Sequence, residues 1–149
     1  MKTLFACLVC LSLTVSLTHG QVVETSLVND LDFRQTLSKA IRYPLAAQQA
    51  EKVAKAYIEF KVDDQGKVAN VQVLNQDNVD SLFTEEINQF MSQLPAQKQT
   101  YAGTYILPVV FELEGIGRVI KPREEESSFI QSLQKELLLE DAHITAYIK

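Results

Sequence analysis

The sequence predicts an α+β fold, a small three-stranded antiparallel sheet packed on helices and followed by one further helix. Three observations carry this. Residues 54–62 and 67–74 alternate with period two around an Asp63-Asp64-Gln65-Gly66 turn, which reads as a hairpin. Two stretches with near-helical apolar spacing precede and follow that hairpin. A third apolar strand, YILPVVFEL, closes the region.

The first twenty residues stand apart from the fold. Lys2 supplies a short basic start, Leu4 to Leu17 is an apolar run with small polar interruptions, and Thr18-His19-Gly20 offers small residues for cleavage. Residues 1–20 therefore read as a secretory signal, too short and too rich in Ser and Thr for a good membrane span. Its removal takes Lys2, Cys7, Cys10 and His19, moving the formal charge from −5 to −6 and leaving His143 as the one histidine. About 129 residues (149 − 20) then remain, enough for one domain with a sizeable core and no disulfide.

Residues 21–29 read as a linker. Asn29 or Asp30 caps a helix to about Arg42, whose apolar side carries Leu31, Phe33 or the stem of Arg34, Leu37 and Ile41. Pro44 ends it, because the residue before a proline is pushed out of the helical region. The segment Leu45 to Val53 is a short helix or an ordered crossing loop. In the first strand Ile58, Phe60 and Val62 face one way, and Tyr57, Glu59 and Lys61 the other. Gly66 occupies the turn position that needs positive φ. Ala69, Val71 and Val73 are expected on one face of the second strand.

Asp80 or Ser81 caps the next helix, whose stripe is Leu82 or Phe83, Ile87, Phe90, Met91 and Leu94, with Pro95 as its stop. In the third strand, Thr104 to Glu114, the residues Leu107, Val109, Phe111 and Leu113 face the core. Pro108 cannot donate to a ladder, so an edge or a bulge is expected there. Gly115 and Gly117 mark a boundary. Residues 116–149 form a helical extension, opening at Pro122 with Glu124-Glu125-Glu126 at the positive end of its dipole and running to about Glu140. Its apolar face carries Phe129, Ile130, Leu133, Leu137 and Leu138.

The chemistry of a cofactor or catalytic site is absent from this inventory. With no cysteine and one histidine beyond residue 20, metal and haem sites are not expected, and Asp63-Asp64 lacks the spacing of a calcium loop. No phosphate-binding glycine loop occurs. His143 has no nucleophile motif near it, so the chain is not expected to be an enzyme. A mildly acidic chain without a basic cluster argues against nucleic acid or an anionic membrane as ligand.

The order Tyr43-Pro44, hydrophobic strand, Asp64-Gln65-Gly66-Lys67-Val68 turn, NVQVL strand, helix and PVVFEL finish resembles the TonB C-terminal domain over residues 43–113, within a domain placed at 30–115. The resemblance implies a non-catalytic periplasmic module of a Gram-negative bacterium that takes an extended peptide of an envelope or outer-membrane partner by strand addition. It further implies a partner surface made of Arg42, Tyr43 and Pro44 with Tyr105, Ile106, Leu107, Val110 and Glu112 of the last strand. Membrane anchor and proline-rich linker, usual in the family, are not seen here, so force transmission by this chain is not expected. A second class of reading stays beside it: a self-associating envelope scaffold, dimerising through the third strand or the C-terminal helix.

Overall fold

The computed structural model describes residues 27–115, 124–133 and 138–147. Residues 1–20, expected from sequence to be a secretory signal, and most of the expected linker lie outside these residues. Helix α1 (Leu31–Ala40) is followed by the short α2 (Leu45–Gln49), the hairpin strands β1 (Ala54–Val62) and β2 (Val68–Val73), α3 (Ser81–Ser92), β3 (Gly103–Glu114), α4 (Glu124–Ser132) and β4 (Ala142–Tyr147). The sheet has four strands in the order β2-β1-β3-β4.

Helix α1 forms because Asp30 caps it, accepting from Phe33 N–H at 2.9 Å, while Phe33, Leu37 and Ile41 turn to the core. The apolar side is narrower than the sequence suggests. Leu31 is 67% exposed, whereas Leu27, placed by sequence in a linker, is 1% exposed and belongs to the core. The other oxygen of Asp30 accepts from Tyr101 Oη at 2.6 Å and from Lys98 Nζ at 2.9 Å, which ties α1 to the loop before β3. These bonds, the tyrosine's foremost, hold the carboxyl well below the usual carboxylate range.

The hairpin turns as its residues dictate. Asp63 Oδ1 accepts from the N–H groups of Gln65 and Lys67, and Gly66 sits at φ +79°. A Cβ on Gly66 would also lie 2.0 Å from the Gln97 carbonyl oxygen, so both conformation and close approach require glycine. Past the turn, β2 departs from simple alternation. Its register with β1 slips between Glu59 and Lys61, with Asn70 at φ 52° as the extra residue. The slip changes which residues face inward: Val68, Val71 and Val73 pack on the core, and Ala69 does not.

Strands β1 and β3 form the centre, antiparallel from Ala54↔Phe111 to Val62↔Gly103. Ala56, Ile58, Phe60 and Val62 from β1 meet Leu107, Val109 and Phe111 from β3 beneath α1 and α3. Helix α3 is capped by Asp80 and buries Phe83, Ile87, Phe90 and Met91 as its spacing predicts. On the opposite face Tyr57 is also buried, its ring edge-on to Phe129 of α4 at 5.5 Å. The sheet is thus covered on both sides, which period-two reasoning for β1 does not anticipate.

The fourth strand corrects the three-stranded expectation. After α4, Leu138 bridges Ile106, and β4 pairs parallel to β3 from Val109↔Ala142 to Glu114↔Tyr147. Parallel neighbours need a crossover, and α4 lies within that crossover. The C-terminal region is therefore not one helix to Glu140: Leu138 already pairs with the sheet, and residues 142–147 are strand. Leu137, assigned by sequence to the helix stripe, lies outside the described residues.

Candidate protein-interaction edge

A sheet offers partners its edges, where peptide groups lack neighbours. At the β2 edge the bulge at Asn70 interrupts the ladder, a common device against unwanted pairing. Just beyond β2, the carboxamide of Asn75 closes on β1: its oxygen accepts from Tyr57 N–H at 3.0 Å and its nitrogen donates to Lys55 O at 2.9 Å. Those β1 groups are satisfied by a side chain acting as a short strand.

The opposite side differs. The bond from Leu139 N–H to Ile106 O, 2.8 Å, shows that Ile106 turns its peptide groups away from β1. Because β3 pairs with β1 without a register slip, Pro108, Val110 and Glu112 turn the same way. Pro108 therefore lacks its N–H on the β4 side. Opposite it, the covering chain takes an extra residue, since Leu138 meets Ile106 while Ala142 meets Val109. The bulge expected at Pro108 falls on its neighbour.

Side chains of the eight expected partner residues are mostly engaged within the protein. Tyr105 is buried, stacked on Phe60 at 5.7 Å, and its hydroxyl donates to Tyr101 O at 2.8 Å. Ile106, Leu107 and Val110 are buried. Glu112 is half-exposed and lies 3.4 Å from His143 Nδ1 on β4. Tyr43 is wedged edge-on against Phe83 and Phe111, at 5.8 and 5.7 Å, and its hydroxyl donates to Lys52 O. Burial pushes that hydroxyl up to about 12. Pro44 opens α2, and Arg42 is exposed with its N–H donating to Glu86 at 3.0 Å. The fold brings Tyr43 to β3 through Phe111, whereas the exposed Arg42 is tied by its N–H to α3.

Sequence reasoning missed β4 and the charges that fasten it. Glu140 pairs with Arg34 of α1 at 2.5 Å, and Asp141 pairs with Lys55 of β1 at 2.7 Å. Burial of the Lys55 ammonium works to lower its pKa, yet the Asp141 contact and charge outweigh this and hold it above the ordinary lysine value. Gln48 of α2 donates to Tyr147 O at 2.7 Å. The available signal was the alternation of Ala142, Ile144 and Ala146 with His143, Thr145 and Tyr147.

Among the described residues no helix is long and apolar enough to cross a membrane. No curated protein matches the chain. A solved structure, the NMR solution structure of the Helicobacter pylori TonB C-terminal domain (residues 194–285), is similar over 54% of this chain and 89% of that one, at 19% identity and a TM-score of 0.40. The family described as Gram-negative bacterial TonB protein C-terminal matches residues 39–113, half of the chain. Domains of this family are non-catalytic, protein-interacting modules of the periplasm. The match runs from the end of α1 through Leu113, and on it the chain belongs to the TonB C-terminal family.

Proposed function

We propose that this chain is a periplasmic, non-catalytic binding module that captures an extended peptide of an envelope or outer-membrane partner by strand addition on the β3 side of its sheet. One observation carries the reading: the β3 edge accepts an extended segment in parallel register, because it holds residues 142–147 of its own chain. The backbone of Ile106, Val110 and Glu112 supplies the pairing groups. Tyr105 and Leu107 fix β3 from the core side, and Arg42, Tyr43 and Pro44 form the neighbouring rim. The β2 edge is the poorer host, being bulged at Asn70 and backed by the Asn75 carboxamide. Export by residues 1–20 is part of the proposal, and the chain acts without catalysis, cofactor or nucleic acid.

The test is an amide-shift titration of isotope-labelled protein with N-terminal plug peptides of outer-membrane receptors from the same genome. Saturable shifts at 105–112, at 142–147 and around Tyr43 are expected. No shift up to millimolar peptide, either in this protein or in an Ile144→Asp variant that frees the β3 groups held by residues 142–147, would overturn the reading. The self-associating alternative draws on one feature, the position of β4 at the edge of the sheet. It expects a sedimentation coefficient that rises with protein concentration.

A further inference from the structure

Two hollows lie along α1, and they differ in how their charges are used. A cavity of about 280 Å³ between α1 and residues 140–143 is lined by Arg34, Glu140 and Asp141 among others. Its charges are already paired, Glu140 with Arg34 and Asp141 with Lys55 of β1. The second hollow is a cleft of about 540 Å³ between the end of α1 and α3, and Lys39, Arg42, Glu86, Gln89, Phe90 and Gln93 line it.

Local structure brings these groups together. Glu86, Gln89, Phe90 and Gln93 stand at i, i+3, i+4 and i+7, on one side of α3. Phe90 is buried there, Glu86 is half-buried, and the two glutamines are exposed. Lys39 lies in the last turn of α1, and just beyond it the Arg42 N–H donates to Glu86 Oε1 at 3.0 Å. That bond fixes the root of the Arg42 side chain beside the acid. Among the described residues Lys39, the Arg42 guanidinium and Glu86 have no ion-pair partner, whereas Lys52, Lys55 and Lys98 each hold an aspartate. Two cations and one acid are thus left over in one polar cleft, with a local charge of one positive unit.

We propose that this cleft is a binding site for a free acidic α-amino acid. Such a ligand carries two carboxylates and one ammonium, the complement of what the cleft presents. Arg42 takes one carboxylate with its planar fork, Lys39 takes the other as a point charge, and the second oxygen of Glu86 accepts from the ammonium. The carboxamides of Gln89 and Gln93 supply further donors and acceptors, and the Phe90 ring meets the ligand's methylene carbons. A dicarboxylate without an ammonium would leave Glu86 facing like charge, and an amino acid with one carboxylate would leave a cation unanswered. The site is separate from the β3 edge and does not depend on strand addition.

The test is an amide-shift titration of isotope-labelled protein with L-glutamate as probe. Saturable shifts at 39–42 and 86–93 are expected. Glutarate, which lacks the ammonium, and L-alanine, which lacks the second carboxylate, are each expected to bind at least about tenfold more weakly. Because Arg42 also stands in the rim of the proposed peptide site, the positions varied are Lys39 and Glu86. Lys39→Gln is expected to weaken L-glutamate binding at least about fivefold. Glu86→Gln keeps an acceptor for the Arg42 N–H while removing the charge, so it is expected to erase the preference for glutamate over glutarate. Equal binding of glutarate and glutamate by the unmodified protein overturns the inference. So does the absence of saturable shifts up to about 10 mM L-glutamate.

Discussion

The two flanks of β3 are held by different physics. Toward β1, nine antiparallel register pairs run over a face where Ile58, Phe60, Leu107 and Phe111 lose all contact with solvent. Each such side chain contributes roughly 1.5–3 kcal/mol on burial, so this flank is bound to global folding. Toward β4, six parallel pairs hold one large inward side chain, and exposed or half-exposed ion pairs add roughly 0–1 kcal/mol each. The first flank is a core and the second a docking. The difference teaches that one strand can be gripped by a dense core on one side and, on the other, by a lighter contact in which Leu139 and Ile144 carry the apolar packing.

The largest effect lies on the β1 flank. Phe111 meets both Phe83, at 4.6 Å, and Tyr43. Phe111→Ala is expected to cost about 3–5 kcal/mol in urea unfolding, with β4 lost along with the core. Gly66→Ala comes next. Positive φ and the contact with the Gln97 carbonyl together are expected to cost about 1–3 kcal/mol in the same measurement, without altering β4.

Asp30 gives a pH-dependent effect on the core side. Its folded pKa lies below the unfolded value of 3.8, so its contribution is present above that value and is lost as pH falls through the folded pKa. Asp30→Asn keeps a capping oxygen but loses the charge that Lys98 and Tyr101 hold. A cost of about 1–2 kcal/mol at neutral pH is expected, and the gap between variant and parent narrows progressively below about pH 4. A gap that stays constant down to pH 2 would contradict the assignment. The smallest effect belongs to the β4 flank. Glu140→Gln with Asp141→Asn is expected to change global stability by less than about 1 kcal/mol, by an amount that shrinks in high salt.

The same contrast explains what the sequence made legible. Both helix caps near Asp30 and Asp80, the α3 stripe and the hairpin follow from local spacing and turn chemistry, and β3 reads as a strand from its apolar run, although it is buried on both faces. Ala69 was assigned to the inner face because a one-residue bulge at Asn70 leaves no mark on period-two counting. Leu27 joined the core from a stretch too short to show a period. The helix expected to reach Glu140 stops sooner because Leu138 satisfies a strand, a tertiary demand that helical spacing cannot report. The proposed site was legible as a strand, but its occupant was not, since two alanines and one isoleucine make a faint pattern.

Native-state hydrogen exchange tests the central claim most directly. If β4 is docked on a separately folded core, amides of residues 142–147 exchange through a local opening at least about tenfold more often than those of β1 and the β1-facing groups of β3, with little dependence on low denaturant. If residues 142–147 exchange only with global unfolding, β4 is an integral strand and the account of two differently held flanks is wrong.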